Sequence, residues 1–177
     1  MIAVLGSKIE FIENLLKENI KNYECFIAND NSEGQLVLSG KKNDLEKLSI
    51  DLKKNSIKNI ILPVSAPFHC KLMNKATEIM KHEIEKLNFL PSKKILVSNV
   101  SAESMTDSLL IKKLLIKQIE SRVKWRESVK YMIQNNSKNF IEIGPGKVLT
   151  GLVKRIDRNV KVSAINNEED IKVIKNN

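Results

Sequence analysis

The sequence predicts a mixed α/β fold in two parts, a small α+β unit over residues 1–62 and an alternating α/β region over residues 63–177. Three observations support this division. Apolar spacing in the first part gives the order strand, helix, strand, strand, helix, strand. Dense turn chemistry at residues 29–34 separates two of those strands. Beyond Pro63, strands alternate with helices, which favours a parallel sheet.

In the first part, alternating and helical apolar spacings can be assigned to six elements in turn. The order βαββαβ is that of a ferredoxin-like split unit, in which both helices lie on one face of a four-stranded antiparallel sheet. The apolar residues of the second helix match helical spacing only approximately. The last strand is apolar enough to be buried. The predicted strands and helices are Met1–Leu5, Ile9–Ile20, Glu24–Asn29, Gln35–Ser39, Lys41–Lys54 and Ile57–Leu62.

The second part begins with a long amphipathic helix, on which seven apolar residues from Leu72 to Leu87 form one stripe. Thr106 and Asp107 offer an N-cap for a later helix that ends near Gln118. A turn of Gly, Pro and Gly opens another helix. The further predicted elements are Ile95–Val100, Leu109–Ile119, Trp125–Ile133, Asn139–Ile143, Lys147–Ile156 and Val160–Ala164.

Length and composition are those of a globular chain, because 177 residues with 42% hydrophobic content can bury a substantial core. The sequence has neither an apolar run of membrane-spanning length nor a signal-peptide pattern, so we expect a cytoplasmic protein without membrane association. Cys25 and Cys70 lack the spacing of a metal site or a disulfide framework. We therefore expect two reduced thiols, with Cys25 buried, and no metal.

The formal net charge of +9 comes from lysines scattered over nearly every polar segment. Without a compact basic block or interleaved aromatic residues, this pattern argues against nucleic acid as the main ligand. A positive surface still favours an acidic protein partner or a phosphate-bearing small molecule through long-range attraction.

One histidine stands at the seam between an extended run and the long helix. Pro63 and Pro67 keep the residues between them out of helical angles, so His69 falls in a strand-to-helix turn. A histidine held there by backbone could act as a general base near neutral pH. The local pattern favours a histidine that only caps or packs the helix, since most turn histidines are not catalytic, and both interpretations remain open at this level.

Two motifs decide between them, Ala-Pro-Phe-His-Cys-Lys-Leu-Met at residues 66–73 and Ile-Glu-Ile-Gly-Pro-Gly-Lys-Val-Leu-Thr-Gly-Leu at residues 141–152. Together they resemble the histidine motif and the C-terminal signature of malonyl-CoA:acyl carrier protein transacylases. Shorter matches occur in the same order along the chain, at Met1–Gly6, Asn29–Gln35, Ser39–Gly40, Ser98–Val100 and, with Gln118, Val123–Trp125.

The resemblance implies a ferredoxin-like subdomain inserted in a core similar to α/β hydrolases, of which residues 63–177 would be the C-terminal part. It implies ping-pong transfer of malonyl from malonyl-CoA to acyl carrier protein in fatty acid biosynthesis, without a cofactor, by a monomer. His69 matches the catalytic base and Gln118 the residue whose backbone carbonyl holds its ring. Phe68 either favours malonyl or packs beside the cleft, and Asn31 and Gln35 either contact substrate or close the hairpin.

The sequence departs from the family pattern in one respect, because no Gly-x-Ser-x-Gly nucleophile elbow occurs in it. We therefore expect an inactive chain that needs an N-terminal polypeptide carrying the serine. Ser65, four residues before His69, is a poor substitute because a strand residue there need not face the ring. An alternative function is a non-catalytic module that docks acyl carrier protein.

Overall fold

The computed structural model describes residues 1–175. They divide into two compact units, Met1–Ser128 and a second unit that begins at Val129. The elements, in chain order, are β1 Ile2–Leu5, α1 Ile9–Glu18, β2 Cys25–Ser32, β3 Gln35–Gly40, α2 Lys42–Lys54, β4 Lys58–Ile61, a 3₁₀ turn Lys71–Met73, α3 Asn74–Lys86, β5 Leu96–Val97, β6 Ser104–Met105, α4 Ser108–Gln118, α5 Trp125–Gln134, β7 Asn139–Ile143, α6 Val148–Ile156, β8 Lys161–Ile165 and α7 Glu168–Lys175.

The first unit is built on a four-stranded antiparallel sheet with the strand order β2-β3-β1-β4. Alternate residues of β1 and β3 point into one core, where Ile2 lies opposite Leu38 and Val4 lies opposite Leu36. Apolar residues of α1 and α2 complete that core. The elements therefore occur in the order that the sequence predicts over residues 1–61.

The helix α2 shows why its apolar pattern fitted only approximately. Leu45, Leu48 and Leu52 follow one another at spacings of three and four and are buried, as a single helix face requires. Ile50 lies on the other side and is 55% exposed. Because Ile50 faces outward, the apolar residues of this segment do not all lie on one helix face, and the helical spacing in the sequence is imperfect.

Strand β3 is buried on both faces of the sheet. Leu36 and Leu38 face the helices, whereas Val37 and Ser39, which alternate with them, are buried as well. The Ser39 hydroxyl donates to the backbone carbonyl of Phe68, 2.6 Å away. The segment that follows the sheet in sequence therefore returns to cover its second face.

The hairpin differs from its prediction in length. Strand β2 extends to Ser32, with irregular pairing at Ala28 and Asn31, and the turn is reduced to Glu33 and Gly34. The predicted turn at residues 29–34 was too long because Asn and Asp usually occur in turns. Here Asp30 and Ser32 are fully or almost fully buried, so tertiary contacts override that preference.

Two other predicted strands were wrong in detail. Strand β4 lies at the edge of the sheet with Ile60 and Ile61 at least half exposed, so it is not the buried strand that its composition indicated. The predicted strand Ile95–Val100 shrinks to Leu96–Val97, which pairs antiparallel with Ser104–Met105 and not in a parallel sheet. Composition alone could not show which apolar residues would meet a partner.

The long helix after His69 also differs from its prediction. It starts with the 3₁₀ turn and becomes α-helical at Asn74. Of the predicted apolar stripe only Ile84 is buried on α3, and Ile79 and Met80 are exposed. The next helix, α4, begins as predicted, because the Asp107 side chain caps it by accepting from the backbone N–H of Leu110 at 2.6 Å.

In the second unit, β7 and β8 form a parallel pair in register, from Asn139 opposite Lys161 onward, which confirms the predicted parallel arrangement for these strands. The turn into α6 needs glycine, since Gly146 has a φ of 94°. Glu142 caps α6 by accepting from the N–H groups of Leu149 and Thr150. These bonds, first that of Thr150, lower the pKa of its carboxyl. Helix α7 was not anticipated from the sequence.

We expect Leu48→Ala to lower the free energy of unfolding by roughly 2–5 kcal/mol, because it removes a fully buried side chain from a packed core. Chemical denaturation followed by circular dichroism measures the change. Ile50→Ala on the same helix is the matched control, and its exposed position predicts a change within about 0.5 kcal/mol. An equal decrease in the free energy of unfolding in the two variants would contradict the assigned core.

Candidate active site

The residue at the centre of the candidate site is His69, which lies in the turn between β4 and the 3₁₀ turn. Its backbone is left-handed, with a φ of 61°. Histidine adopts this conformation more readily than most side chains, but it still costs on the order of 1 kcal/mol. The surrounding structure must therefore hold the turn in place.

The imidazole of His69 is oriented by Gln118, the last residue of α4. Its Nδ1 lies 3.1 Å from the Gln118 backbone carbonyl oxygen, the contact that the resemblance predicts. Because a carbonyl only accepts, Nδ1 carries the proton in the neutral ring and Nε2 is left as the basic nitrogen. This is the tautomer that a general base requires.

The side chain of Gln118 also takes part in the geometry of the site. Its Nε2 donates to the backbone carbonyl of Ser121 at 2.8 Å and so closes the turn that follows α4. The carbonyl that faces His69 is thus fixed from two directions, by the helix before it and by its own side chain after it. The sequence did not indicate this second contact.

A cleft of about 500 Å³ opens beside the ring. Its walls combine apolar residues from α1 and β2 with charged residues of both signs. The lining residues are Glu13, Leu16, Cys25, Phe26, Ile27, His69, Cys70, Lys71, Glu120 and Arg122.

The two cations of the cleft are already paired. Lys71 contacts the Glu24 carboxylate and lies over the ring of Phe26, with its Nζ 5.3 Å from the centroid. Arg122 lies between Glu13 and Glu127, at 3.3 Å from an oxygen of each. Because opposite charges balance here, the cleft is not a simple anion site.

An ion pair between Asp30 and Arg126 joins β2 to the start of α5. Asp30 is fully buried, and one of its carboxylate oxygens accepts from Nη2 and Nε of Arg126 at 2.7 and 3.0 Å. Burial raises the pKa of the Asp30 carboxyl, and the Arg126 charge opposes that shift. Beside this pair, Val123 joins the edge of β2 through hydrogen bonds with the Ala28 carbonyl and the Asp30 N–H, of 2.8 and 2.9 Å.

The structure brings His69 and Gln118 together, but the other predicted site residues lie elsewhere. Asn31 and Gln35 flank the hairpin turn, and neither lines the cleft beside the ring, which touches β2 only near its start. Phe68 is 39% exposed and also lies outside that lining. The sequence did not indicate Arg122 or Glu120, because their proximity to His69 arises only from folding.

Neither a metal centre nor a membrane segment is found in the part of the chain that the structure describes. Within residues 1–175, no cluster of three or more His, Cys, Asp or Glu side chains could hold a metal ion. None of the helices in the same residues combines the length and apolarity that crossing a bilayer takes.

No protein-family model matches the chain. Curated relatives do match the chain. Their names define one class of protein, the transacylases that act with an acyl carrier protein. A malonyl CoA-acyl carrier protein transacylase of Bacillus subtilis strain 168 is 38% identical over 98% of the chain and 55% of its own length. One from Staphylococcus aureus strain MSSA476 is 37% identical over 97% of the chain and 56% of its own length.

Solved structures agree with this relationship. The malonyl CoA-acyl carrier protein transacylase of Clostridium perfringens superposes with a TM-score of 0.93 at 34% identity, over 99% of this chain and 55% of that one. The acyl-carrier-protein-S-malonyltransferase of Bartonella henselae gives 0.94 at 34% identity, over 99% and 56%. A complex of a type II polyketide synthase acyl-carrier protein with its malonyl-transacylase gives 0.93 at 31% identity, over 99% and 58%.

Over nearly its whole length, therefore, the chain is homologous to malonyl CoA-acyl carrier protein transacylases, as its motifs predict. It spans about 55% of the length of the curated relatives that it matches.

We expect both thiols near His69 to resist modification in the folded chain. Cys25 and Cys70 are buried, and burial raises the pKa of Cys25 to about 12 and that of Cys70 above its ordinary value. For Cys25, that rise leaves about a thousandfold less thiolate at pH 8 than an ordinary thiol has. Reaction with a disulfide reagent should therefore be much slower in buffer than in urea.

The Cys70→Ala variant leaves Cys25 as the one remaining thiol, since the chain has two cysteines. Fast reaction of this variant in buffer, with its thermal transition intact, would show that Cys25 is accessible and contradict the structure.

Proposed function

We propose that this chain forms the histidine-bearing part of an enzyme that transfers malonyl from malonyl-CoA to the phosphopantetheine thiol of acyl carrier protein in fatty acid biosynthesis. The observation that carries the proposal is the 3.1 Å contact between His69 Nδ1 and the Gln118 carbonyl. It selects the tautomer of a general base in a chain whose relatives are transacylases of this kind.

In the first half-reaction, the basic Nε2 of His69 removes the proton of a serine hydroxyl. The serine oxygen attacks the thioester carbonyl of malonyl-CoA, an ester forms, and the carbon–sulfur bond breaks. The imidazolium then returns its proton to the departing thiolate of coenzyme A. The Gln118 carbonyl stabilises the imidazolium by accepting from its Nδ1–H, the task that an aspartate performs in many triads.

In the second half-reaction, His69 takes the proton of the phosphopantetheine thiol, whose sulfur attacks the malonyl ester. The carbon–oxygen bond to serine breaks, and the imidazolium returns the proton to the serine oxygen. The chain contains no Gly-x-Ser-x-Gly elbow, so we propose that a further polypeptide segment supplies this serine and that the chain by itself is inactive.

The finer architectural assignments belong to the same proposal. The strand order β2-β3-β1-β4 supports a ferredoxin-like subdomain over residues 1–62, since no later described strand joins that sheet. Residues 63–177 would then be the C-terminal part of an α/β-hydrolase-like core. The proposal also includes contacts with substrate by Asn31 and Gln35 and a preference for malonyl set by Phe68.

We expect His69→Ala to lower the rate of malonyl transfer by about 10²–10⁴, because it removes the group that moves the proton in both half-reactions. The assay combines this chain with the part of the Bacillus subtilis relative that it does not match, and follows labelled malonyl on acyl carrier protein. Gln118→Ala keeps the carbonyl and loses only the hydrogen bond to Ser121, so a loss of about fivefold is expected.

His82→Ala is the matched control, because His82 is the other histidine of the chain and is exposed on α3. It should transfer malonyl at the unchanged rate. An undiminished rate for His69→Ala would show that His69 is not the base.

A second candidate function is a non-catalytic module that docks acyl carrier protein. The net charge of +9 supports it, since an acidic partner would be attracted to such a surface. Binding of acyl carrier protein to this chain should then weaken steeply between low and physiological salt, with no acyl-enzyme formed. Binding that is indifferent to ionic strength would argue against it.

A further inference from the structure

The turn that carries His69 is tied to the sheet by a buried serine. Ser39 is fully buried on the face of β3 that points away from the core residues Leu36 and Leu38. Its hydroxyl donates to the carbonyl of Phe68 at 2.6 Å, a short bond for two oxygens. A polar group without exposure is strongly held to such a partner, because water cannot replace it.

This bond acts on the dihedral that is unusual at His69. The Phe68 carbonyl belongs to the planar peptide group that includes the His69 nitrogen, so fixing the direction of the carbonyl fixes that plane. The φ of His69 is the rotation from that plane, and its value of 61° is unfavourable for a residue with a Cβ. Without the bond from Ser39, the peptide could rotate and let φ return to its ordinary range.

The same hairpin also contacts the segment that follows Gln118. Five residues beyond Gln118, Val123 pairs with the outer edge of β2 through its own N–H and carbonyl. The β2–β3 hairpin thus contacts both the turn that carries His69 and the segment that follows the Gln118 carbonyl. Loss of either contact should shift the His69 ring relative to the Gln118 carbonyl.

We propose that Ser39 is a positioning residue that keeps the His69 ring on the Gln118 carbonyl and thereby selects the Nδ1–H tautomer. This inference rests on the proposed function for its catalytic meaning, but the tautomer itself is a property of the chain and is measurable without any transfer reaction. A serine that only filled space would leave the tautomer unchanged.

The test is nitrogen NMR of the full chain labelled at histidine, in solution or in the solid state, at about pH 9, where an imidazole is neutral. The chain has two histidines, so exposed His82 provides an internal reference. In Ser39→Ala we expect the ratio of Nδ1–H to Nε2–H tautomer at His69 to fall about fivefold, the factor that the loss of one hydrogen bond implies. The His82 signals should not move.

Two further variants make the result decisive. Ser49→Ala removes another buried serine hydroxyl, which donates to Asn59 Oδ1 at 2.7 Å on the helix side of the same unit, and should leave the His69 ratio unchanged. Ser39→Cys fills the same space with a much weaker donor and covers the case in which Ser39→Ala does not fold.

A wild-type ratio in whichever Ser39 variant folds would overturn the positioning role, and so would an equal fall in Ser49→Ala. Neither result would touch the proposed function, which depends on the transfer rate of His69→Ala. Conversely, a shifted tautomer together with full transfer by His69→Ala would leave the positioning role standing and remove its catalytic meaning.

Discussion

The burial of β3 on both faces is the constraint on which the first unit depends. One set of side chains, Leu36 and Leu38, closes the core beneath α1 and α2, and the alternate set faces the segment that carries His69. Because side chains of a strand alternate strictly, the position of one set fixes the other. A shift of register by one residue would turn the leucines away from α1 and α2 and withdraw Ser39 from the Phe68 carbonyl at the same time. Core stability and the geometry of the histidine turn are thus linked through one strand.

The pair of Asp30 and Arg126 shows how the edge of this sheet is used. A carboxylate without exposure is tolerated because a guanidinium meets it at 2.7 Å, and removal of Arg126 would leave this buried charge unpaired. Next to it, the backbone of Val123 takes the hydrogen bonds that an edge strand otherwise leaves open. The connection after Gln118 is therefore anchored where it passes β2.

The histidine turn lies within the region that is homologous to malonyl CoA-acyl carrier protein transacylases. The histidine and the carbonyl that orients it lie within the described residues, and the contact between them is formed. The chain nevertheless corresponds to about 55% of the length of these relatives and contains no nucleophile elbow. Large apolar side chains on α3 and α4, such as Ile79 and Leu109, are exposed in the structure.

The sequence by itself determined the order of the elements over residues 1–61, the cap at Asp107, the parallel pair β7 and β8, and the two motifs that led to the family. These are local signals, carried by spacing and turn chemistry within a few residues. Only the tertiary structure decided that Asn31 lies in a strand and that β4 is exposed. It also decided that Ser39 bonds to Phe68, Val123 to β2 and Arg126 to Asp30. Those contacts join residues 29 to 96 positions apart, and no periodicity in a single sequence reports which distant side chains will meet.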